Sequence, residues 1–239
     1  MQVCRRSRFS HRHRQENAVF ANSARVISSQ VGVHPRLDEI VAKHLREPYR
    51  RTPSGPGRAA FESVVDRLVA ADGSFVLDAG CGTGASTLAL ARRFPQRLVL
   101  GVDKSAARLA QGRRAAEASA APANAILLHC ELVDLWQLCV ERSLRCAMQF
   151  LFYPNPWPKA EHVMRRWHAH PVLPAMLALG GAIELRTNWR IYADEFARAL
   201  RQAGRKADVE EATSAEPVSP FERKYLASAH TLWCCRLPV

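Results

Sequence analysis

The chain has 239 residues, 48% hydrophobic and 23% charged, enough to bury one substantial core with short appendages but not a second full domain. Its 34 Lys and Arg against 22 Asp and Glu leave a net charge of +12, which favours a polyanionic partner, nucleic acid foremost. The longest apolar runs, such as Ala147 to Pro154, are too short to cross a bilayer, and seven cysteines with no CxxC pair argue against a disulfide framework or a zinc site.

The expectation is a cytoplasmic protein with no membrane and no metal. No apolar segment follows the Arg/His-rich start, so no secretory signal is visible. Residues 1–14 carry five arginines and two histidines and no acid, and residues 1–22 are read as a basic disordered arm. From Ser23 to about Arg51 the pattern is mildly helical, with Leu37, Ile40, Val41 and Leu45 on one side. Thr52-Pro53-Ser54-Gly55-Pro56-Gly57 then breaks it as a hinge or linker, so residues 23–57 form an N-terminal extension ahead of one domain over 58–239.

Within that domain, Phe61, Val64, Val65, Leu68 and Val69 predict a helix over Arg58 to Ala71. A strand follows at Val76-Leu77-Asp78-Ala79, then the glycine turn Gly80-Cys81-Gly82-Thr83-Gly84 and a helix from Ala85 to Arg93. Leu98 to Val102 reads as a second strand ending in Asp103, with Ser105 as the N-cap of an Ala/Arg-rich helix. Ile126 to Cys130 and Cys146 to Tyr153 read as the third and fourth strands. Lys159 to Leu179 reads as a helix stopped by Gly180-Gly181, and Ala182 to Thr187 as a fifth strand. A helix over Arg190 to Ala203 and late strands near Lys206 to Glu210 and His230 to Arg236 complete the chain. This alternation predicts an α/β fold, a Rossmann-like doubly wound sheet with helices on both faces and ligands at the strands' carboxyl ends.

The glycine turn is the centre of the chemistry. Gly80, Gly82 and Gly84 allow backbone angles that side chains forbid and let a ligand approach the main chain. The run also satisfies the G-x-G-x-x-G/A pattern of dinucleotide sites, so an oxidoreductase is one reading. Asp103 suits a ribose diol in either a nicotinamide or an S-adenosylmethionine site. Asp78 separates the two, because an acid at the end of the first strand repels a pyrophosphate and attracts the ammonium and sulfonium of S-adenosylmethionine.

The fourth strand leads into Tyr153-Pro154-Asn155-Pro156-Trp157-Pro158-Lys159, where three prolines around an amide and an indole make a rigid loop at the same edge. Behind it, Lys159, His162, Arg165 and Arg166 are expected to form a basic stripe on one helix face, as a phosphate-gripping surface needs.

With these pieces in hand, the chain resembles the bacterial tRNA (guanine-N7)-methyltransferases, S-adenosylmethionine-dependent enzymes of the class I fold. The glycine turn, Pro154-Asn155-Pro156-Trp157-Pro158-Lys159 with His162, Arg165 and Arg166, Gly180-Gly181, Thr187-Asn188-Trp189 with Tyr192, and Ser219-Pro220-Phe221-Glu222-Arg223-Lys224 follow in family order. The resemblance implies that Asp78, Gly80, Gly82, Gly84, Asp103 and the end of the third strand, Cys130 and Glu131, bind S-adenosylmethionine. It implies that Asn155 stands at the catalytic position, and that Lys159, Asn188, Ser219 and Glu222, with the basic stripe, meet the tRNA guanine.

Three positions depart from the family, which usually has Asp at 130, 155 and 188. Guanine N7 already presents a lone pair, so alignment rather than a base can supply much of the rate. Asn155 nonetheless cannot offer negative charge to the cationic product. Asn155-Pro156-Trp157 also resembles the Asn-Pro-Pro-aromatic loop of amino-group methyltransferases, with the ring one position early. A methyltransferase for an exocyclic amino group and a non-catalytic S-adenosylmethionine-responsive RNA-binding protein are therefore the alternatives to tRNA guanine-N7 methylation. Oligomeric state is not legible, with a monomer favoured.

Overall fold

The computed structural model describes residues 22–47, 49–118, 121–213 and 217–238, so all but the last residue of the basic arm lies outside it. The described residues enter helix α1 (Leu37–Arg46), then α2 (Gly55–Glu62) and α3 (Val65–Ala70). The alternating core follows as β1 (Val76–Ala79), α4 (Ala85–Arg93), β2 (Val99–Asp103), α5 (Ala106–Ala118), β3 (Ala125–His129), α6 (Leu132–Glu141) and β4 (Met148–Phe152). Two 3-10 turns, Ala160–Arg165 and Trp167–Ala169, precede α7 (Leu173–Ala178), β5 (Ala182–Thr187), α8 (Arg190–Gln202), β6 (Asp208–Glu211), α9 (Pro220–Ala227) and β7 (Trp233–Leu237).

The seven strands order as β3-β2-β1-β4-β5-β7-β6, with β1 to β5 parallel and β7 antiparallel to both neighbours. The expected doubly wound sheet is present, and strand order reverses between β1 and β4, where such sheets open a crevice at their carboxyl edge. Side chains of alternating parity divide the core. Leu77, Leu100, Val102, Leu151, Ile183 and Leu185 pack with α1, α2 and α6 to α8, while Val76, Val99, Phe150 and Phe152 pack with Leu90 and Ala91 of α4 and with Tyr225 of α9.

The N-terminal extension joins that core, since Leu37 and Val41 of α1 are fully buried in it. Ser54 in the Pro/Gly stretch accepts from Gly57 N–H at 3.0 Å and so caps α2. A Cβ on Gly57 would lie 2.3 Å from Oδ2 of the buried Asp134, which also accepts from Ser54 Oγ at 2.5 Å.

Several expected elements differ. The helix over Lys159 to Leu179 is instead the two 3-10 turns and α7, separated by extended backbone at Arg166 and at His170, the residue that Pro171 holds out of the helical region. The helix over 58–71 splits into α2 and α3. Helices α6 and α9 were not expected; α6 is apolar nearly all round, which hides its period, and α9 is only eight residues long. Strand β3 ends at His129, one residue early, and β6 and β7 lie one to three residues later than predicted.

Candidate active site

The carboxyl ends of β1 to β5 share one edge of the sheet, and their loops carry the residues singled out above. The glycine turn closes on β2, with Gly80 and Cys81 N–H both donating to Val102 O at 2.9 and 3.0 Å. All three glycines have positive φ, 83° at Gly80, 59° at Gly82 and 79° at Gly84. They serve different ends: a Cβ on Gly84 would lie 2.5 Å from the Leu127 side chain, whereas one on Gly82 would meet nothing within 4 Å. Gly84 permits packing, and Gly82 leaves open space above its main chain.

Asp78, on β1 just before that turn, is buried. Its Oδ2 accepts from Ser86 Oγ at 2.6 Å and Thr87 Oγ1 at 2.7 Å, both on the first turn of α4, and its Oδ1 has no partner. Burial raises the carboxyl to about 6, the two hydroxyls working against the shift and Asp103 adding to it. An orphaned, buried carboxylate oxygen is an unmet demand for a donor or a cation. S-adenosylmethionine fits that demand through its ammonium and sulfonium, and the phosphates of a dinucleotide do not.

Asp103 ends β2 and points at the turn. Its Oδ2 accepts from Gly82 N–H at 3.0 Å and lies 3.5 Å from Arg108 Nη1, while Oδ1 accepts from Ser105 N–H at 2.8 Å. Each oxygen has a further lone pair for a ribose hydroxyl. Cys130 follows β3 and is buried, its thiol pushed up to about 11 by burial and by Asp134 and Glu131 nearby. It stays neutral and is no electrostatic replacement for a carboxylate. The adjacent Glu131 is exposed at the start of α6.

The loop after β4 is held in rare conformations, with φ of 53° at Tyr153 and 46° at Trp157. Non-glycine residues persist there only where surrounding structure imposes it. Asn155 is exposed, its Oδ1 accepting from Trp157 N–H at 3.3 Å. Arg165 places its guanidinium 4.7 Å from the Trp157 ring, and His162 meets the same ring edge-on at 5.7 Å.

The basic stripe is only partly present. Lys159 and Arg165 are exposed and His162 is half-buried, but Arg166 is fully buried and grips no outside ligand. Arg166 is the extended residue between the two 3-10 turns, φ −81° and ψ 138°, so it leaves the helical spacing and its side chain turns inward. Its guanidinium bonds Glu195 Oε2 at 2.5 Å, Gln30 Oε1 at 3.0 Å and Trp157 O at 3.0 Å, over the ring of Trp189 at 4.8 Å. Glu195 accepts as well from His168 Nε2 at 2.9 Å, Gln30 Nε2 at 2.6 Å and His34 N–H at 2.8 Å. Burial alone would raise this carboxyl; the His168 bond and the Arg166 charge override it and bring it to about 2. Arg166 therefore positions the Trp157 loop from below.

On the far side of the loop, Asn188 pairs through Nδ2 with His230 Nδ1 at 3.1 Å. Ser219 and Glu222 are buried and structural. Ser219 Oγ caps α9 by accepting from Glu222 N–H at 3.1 Å, and Glu222 accepts from Arg186 Nη1 and Val218 N–H, each at 2.8 Å. The expected contact of Glu222 with substrate is corrected on this ground, as both its oxygens are engaged inside the fold.

Sequence reading missed Ser86, Thr87, Arg186 and Glu195. The two hydroxyls had a local signal, polar residues directly after the glycines on the first turn of a helix whose middle is apolar. Glu195 had none, because its partners Gln30 and Arg166 are 165 and 29 residues away.

Among the described residues no helix is long and apolar enough to cross a membrane, and no cluster of three or more His, Cys, Asp or Glu could hold a metal. The methyltransferase family model Methyltransf_4 matches residues 72–235. The chain is 31% identical over 180 residues to the tRNA (guanine-N(7)-)-methyltransferase of Leifsonia xyli, covering 71% of this chain and 78% of that one. It is 27% identical to the Klebsiella pneumoniae protein of the same name over 175 residues, 70% and 72% of the two chains. The solved 16S rRNA methyltransferase KamB superposes with a TM-score of 0.56 at 20% identity, over 74% of this chain and 93% of that one. A 16S rRNA (adenine(1408)-N(1))-methyltransferase from Catenulisporales acidiphilia gives 0.51 at 18% identity, over 74% and 88%. At those identities the two structures speak for the fold alone. Fold, glycine turn, loop order and sequence identity together place this chain in the tRNA (guanine-N7)-methyltransferase family, to which it belongs as a divergent member.

Proposed function

We propose that this chain methylates N7 of a guanine in tRNA with S-adenosylmethionine as the methyl donor. The observation that carries this reading is the orphaned Asp78 Oδ1 beside an open glycine turn, at the same sheet edge as the rigid Tyr153 to Lys159 loop. Asp78 and the main chain at Gly80 and Gly82 would hold the amino-acid end of the cofactor, Asp103 the ribose, and Glu131 beside Cys130 the adenine side. When bound, the cofactor supplies an electrophilic methyl group.

The protein's own part is alignment. N7 carries a free lone pair, so no side chain has to remove a proton before transfer, and a rigidly held loop is the catalytic asset. Asn155 lies where the family's carboxylate would stabilise the cationic product, and as a neutral amide it can orient the base without adding charge. Lys159 and Arg165 are exposed cations for the phosphates, with His162 and Asn188 flanking the base. Residues 1–22 would extend the phosphate grip, on a monomeric, cytoplasmic protein.

The test is incubation with radiolabelled S-adenosylmethionine and tRNA from a strain lacking the modification, followed by mass spectrometry of the nucleosides. The expected product is 7-methylguanosine. No incorporation despite measured cofactor binding sinks the reading in favour of a non-catalytic RNA-binding protein. Methyl on an exocyclic amine instead assigns Asn155 the amino-group chemistry.

A further inference from the structure

We propose that His230 is a positioning residue that fixes the Asn188 amide in one direction, so that Asn188 reads the O6 and N1–H edge of an unpaired guanine; the role rests on the reading above. The chemistry at N7 leaves this task open. Adenine carries the same N7 lone pair, so methyl transfer by itself does not tell the two purines apart, and the choice has to be made at another edge of the base.

Asn188 follows β5 at the carboxyl edge, beside β4 and the loop that carries Asn155. Trp189 N–H donates to Thr187 Oγ1 at 3.2 Å, which pins the backbone on either side of it. His230 approaches from the end of α9. Its N–H donates to Tyr225 O at 3.0 Å across Ala229, whose φ of 55° closes the helix, and its ring stacks on Tyr225 at 5.3 Å and 16°. The ring is buried and makes two hydrogen bonds, one through each nitrogen.

Those two bonds settle where the proton sits. Nε2 lies 3.1 Å from the main-chain carbonyl of Ser23, which can only accept, so Nε2 carries the hydrogen. Ser23 is itself held, its N–H donating to Ser228 Oγ at 3.0 Å. In the neutral ring Nδ1 is then an acceptor, and Asn188 has to turn its NH2 toward it, at 3.1 Å. The reverse orientation would set Asn188 Oδ1 against the Nδ1 lone pair.

The rest of the half-buried amide, Oδ1 and the second N–H, bonds no described residue and forms an acceptor and a donor of fixed order. Guanine offers O6 to the donor and N1–H to the acceptor, whereas adenine offers N6–H and N1, the same pair reversed. An amide free to rotate would take either base; one held by His230 takes guanine. The departure at 188 belongs to the same arrangement, because a carboxylate there would face the Nδ1 lone pair unless the ring took up a second proton, and it would have no donor for O6.

The experiment uses the full chain and measures kcat/KM on tRNA carrying guanine, inosine or adenine at the position wild type methylates. Wild type is compared with His230→Phe, which keeps a ring on Tyr225 and removes both nitrogens, and nitrogen-15 NMR of the wild-type imidazole reads the tautomer. Expected are a neutral ring protonated at Nε2, inosine within about threefold of guanine because it keeps O6 and N1–H, and adenine at least about a hundredfold poorer. His230→Phe should cut the guanine-over-adenine ratio at least about tenfold, with cofactor affinity retained in calorimetry. A ring protonated at Nδ1, a wild type that rejects inosine or accepts adenine equally, or a phenylalanine variant of wild-type selectivity overturns the proposal. If that variant does not fold, the tautomer and the wild-type series decide alone. Wild type that methylates no tRNA sinks the functional reading instead; its affinity, by anisotropy, for RNA hairpins with one guanine, inosine or adenine in a uridine loop then decides the role of His230, and equal binding of all three overturns it.

Discussion

Replacing Asp78 with Asn tests the central claim that this carboxylate is retained for a ligand at the expense of stability. Its carboxyl sits at 3.8 in the unfolded chain and about 6 in the fold. The folded value is the higher one, so ionised Asp78 opposes folding; that cost is absent below 3.8 and complete above 6. That difference amounts to roughly 3 kcal/mol at pH 7 and about 0.6 kcal/mol at pH 4. The Asn variant keeps an acceptor for Ser86 and Thr87 but leaves a buried NH2 unpartnered, a penalty of about 1 kcal/mol. Net stabilisation of the ligand-free protein is then about 2 kcal/mol at pH 7, a rise in Tm of roughly 4–8 °C for a chain of this size. Near pH 4 it should vanish. Thermal melts of both proteins from pH 4 to 8 read this directly, and calorimetry should show S-adenosylmethionine affinity falling at least about tenfold, since an ion pair to a desolvated carboxylate is lost. A variant that melts below wild type at pH 7, or a gap that does not close as pH falls, refutes the argument.

Glu195→Gln should do the opposite. Glu195 is lowered from 4.5 to about 2, so it contributes about 3 kcal/mol that is complete above pH 4.5 and lost as pH falls through 2. Its loss also strands Arg166 beneath the loop, and urea unfolding at pH 7 should show a drop of about 3–5 kcal/mol. Gly112→Ala would place a Cβ 1.7 Å from Thr83 O, pressing α5 against the glycine turn; a loss of about 1–3 kcal/mol in urea melts is expected, together with weaker cofactor binding in calorimetry. Asn155→Asp restores a carboxylate at an exposed position and should raise kcat for tRNA methylation roughly threefold to tenfold, the size of a charge interaction near 1 kcal/mol. A fall in kcat would mean that the amide does chemistry of its own.

The strained loop and the buried pair beneath it form one device. Tyr153 and Trp157 occupy backbone regions that cost of order 1–3 kcal/mol each. Arg166 binds Trp157 O from inside, and Ser28 Oγ donates to Pro158 O at 2.5 Å from the N-terminal segment. The same segment ties Ser23 to Ser228 and His230, beside Asn188. Residues far apart in the chain thus share the work of holding one short loop rigid, which is what catalysis by alignment requires.

The fold class, the cofactor turn and the order of the loops are legible residue by residue, because they depend on local signals: apolar strand periods, glycines where φ must be positive, prolines that stiffen a segment, and an acid at a strand end. It also exposed the missing carboxylates at 130, 155 and 188. Which polar residues face outward depends instead on packing between distant segments. Arg166 and Glu222 read as ligand-facing residues in a linear motif, yet each is buried against a charge supplied from elsewhere, Glu195 on α8 and Arg186 on β5. A charge's role is set by its partner and its dielectric surroundings, and long-range packing, absent from any local stretch of residues, supplies both.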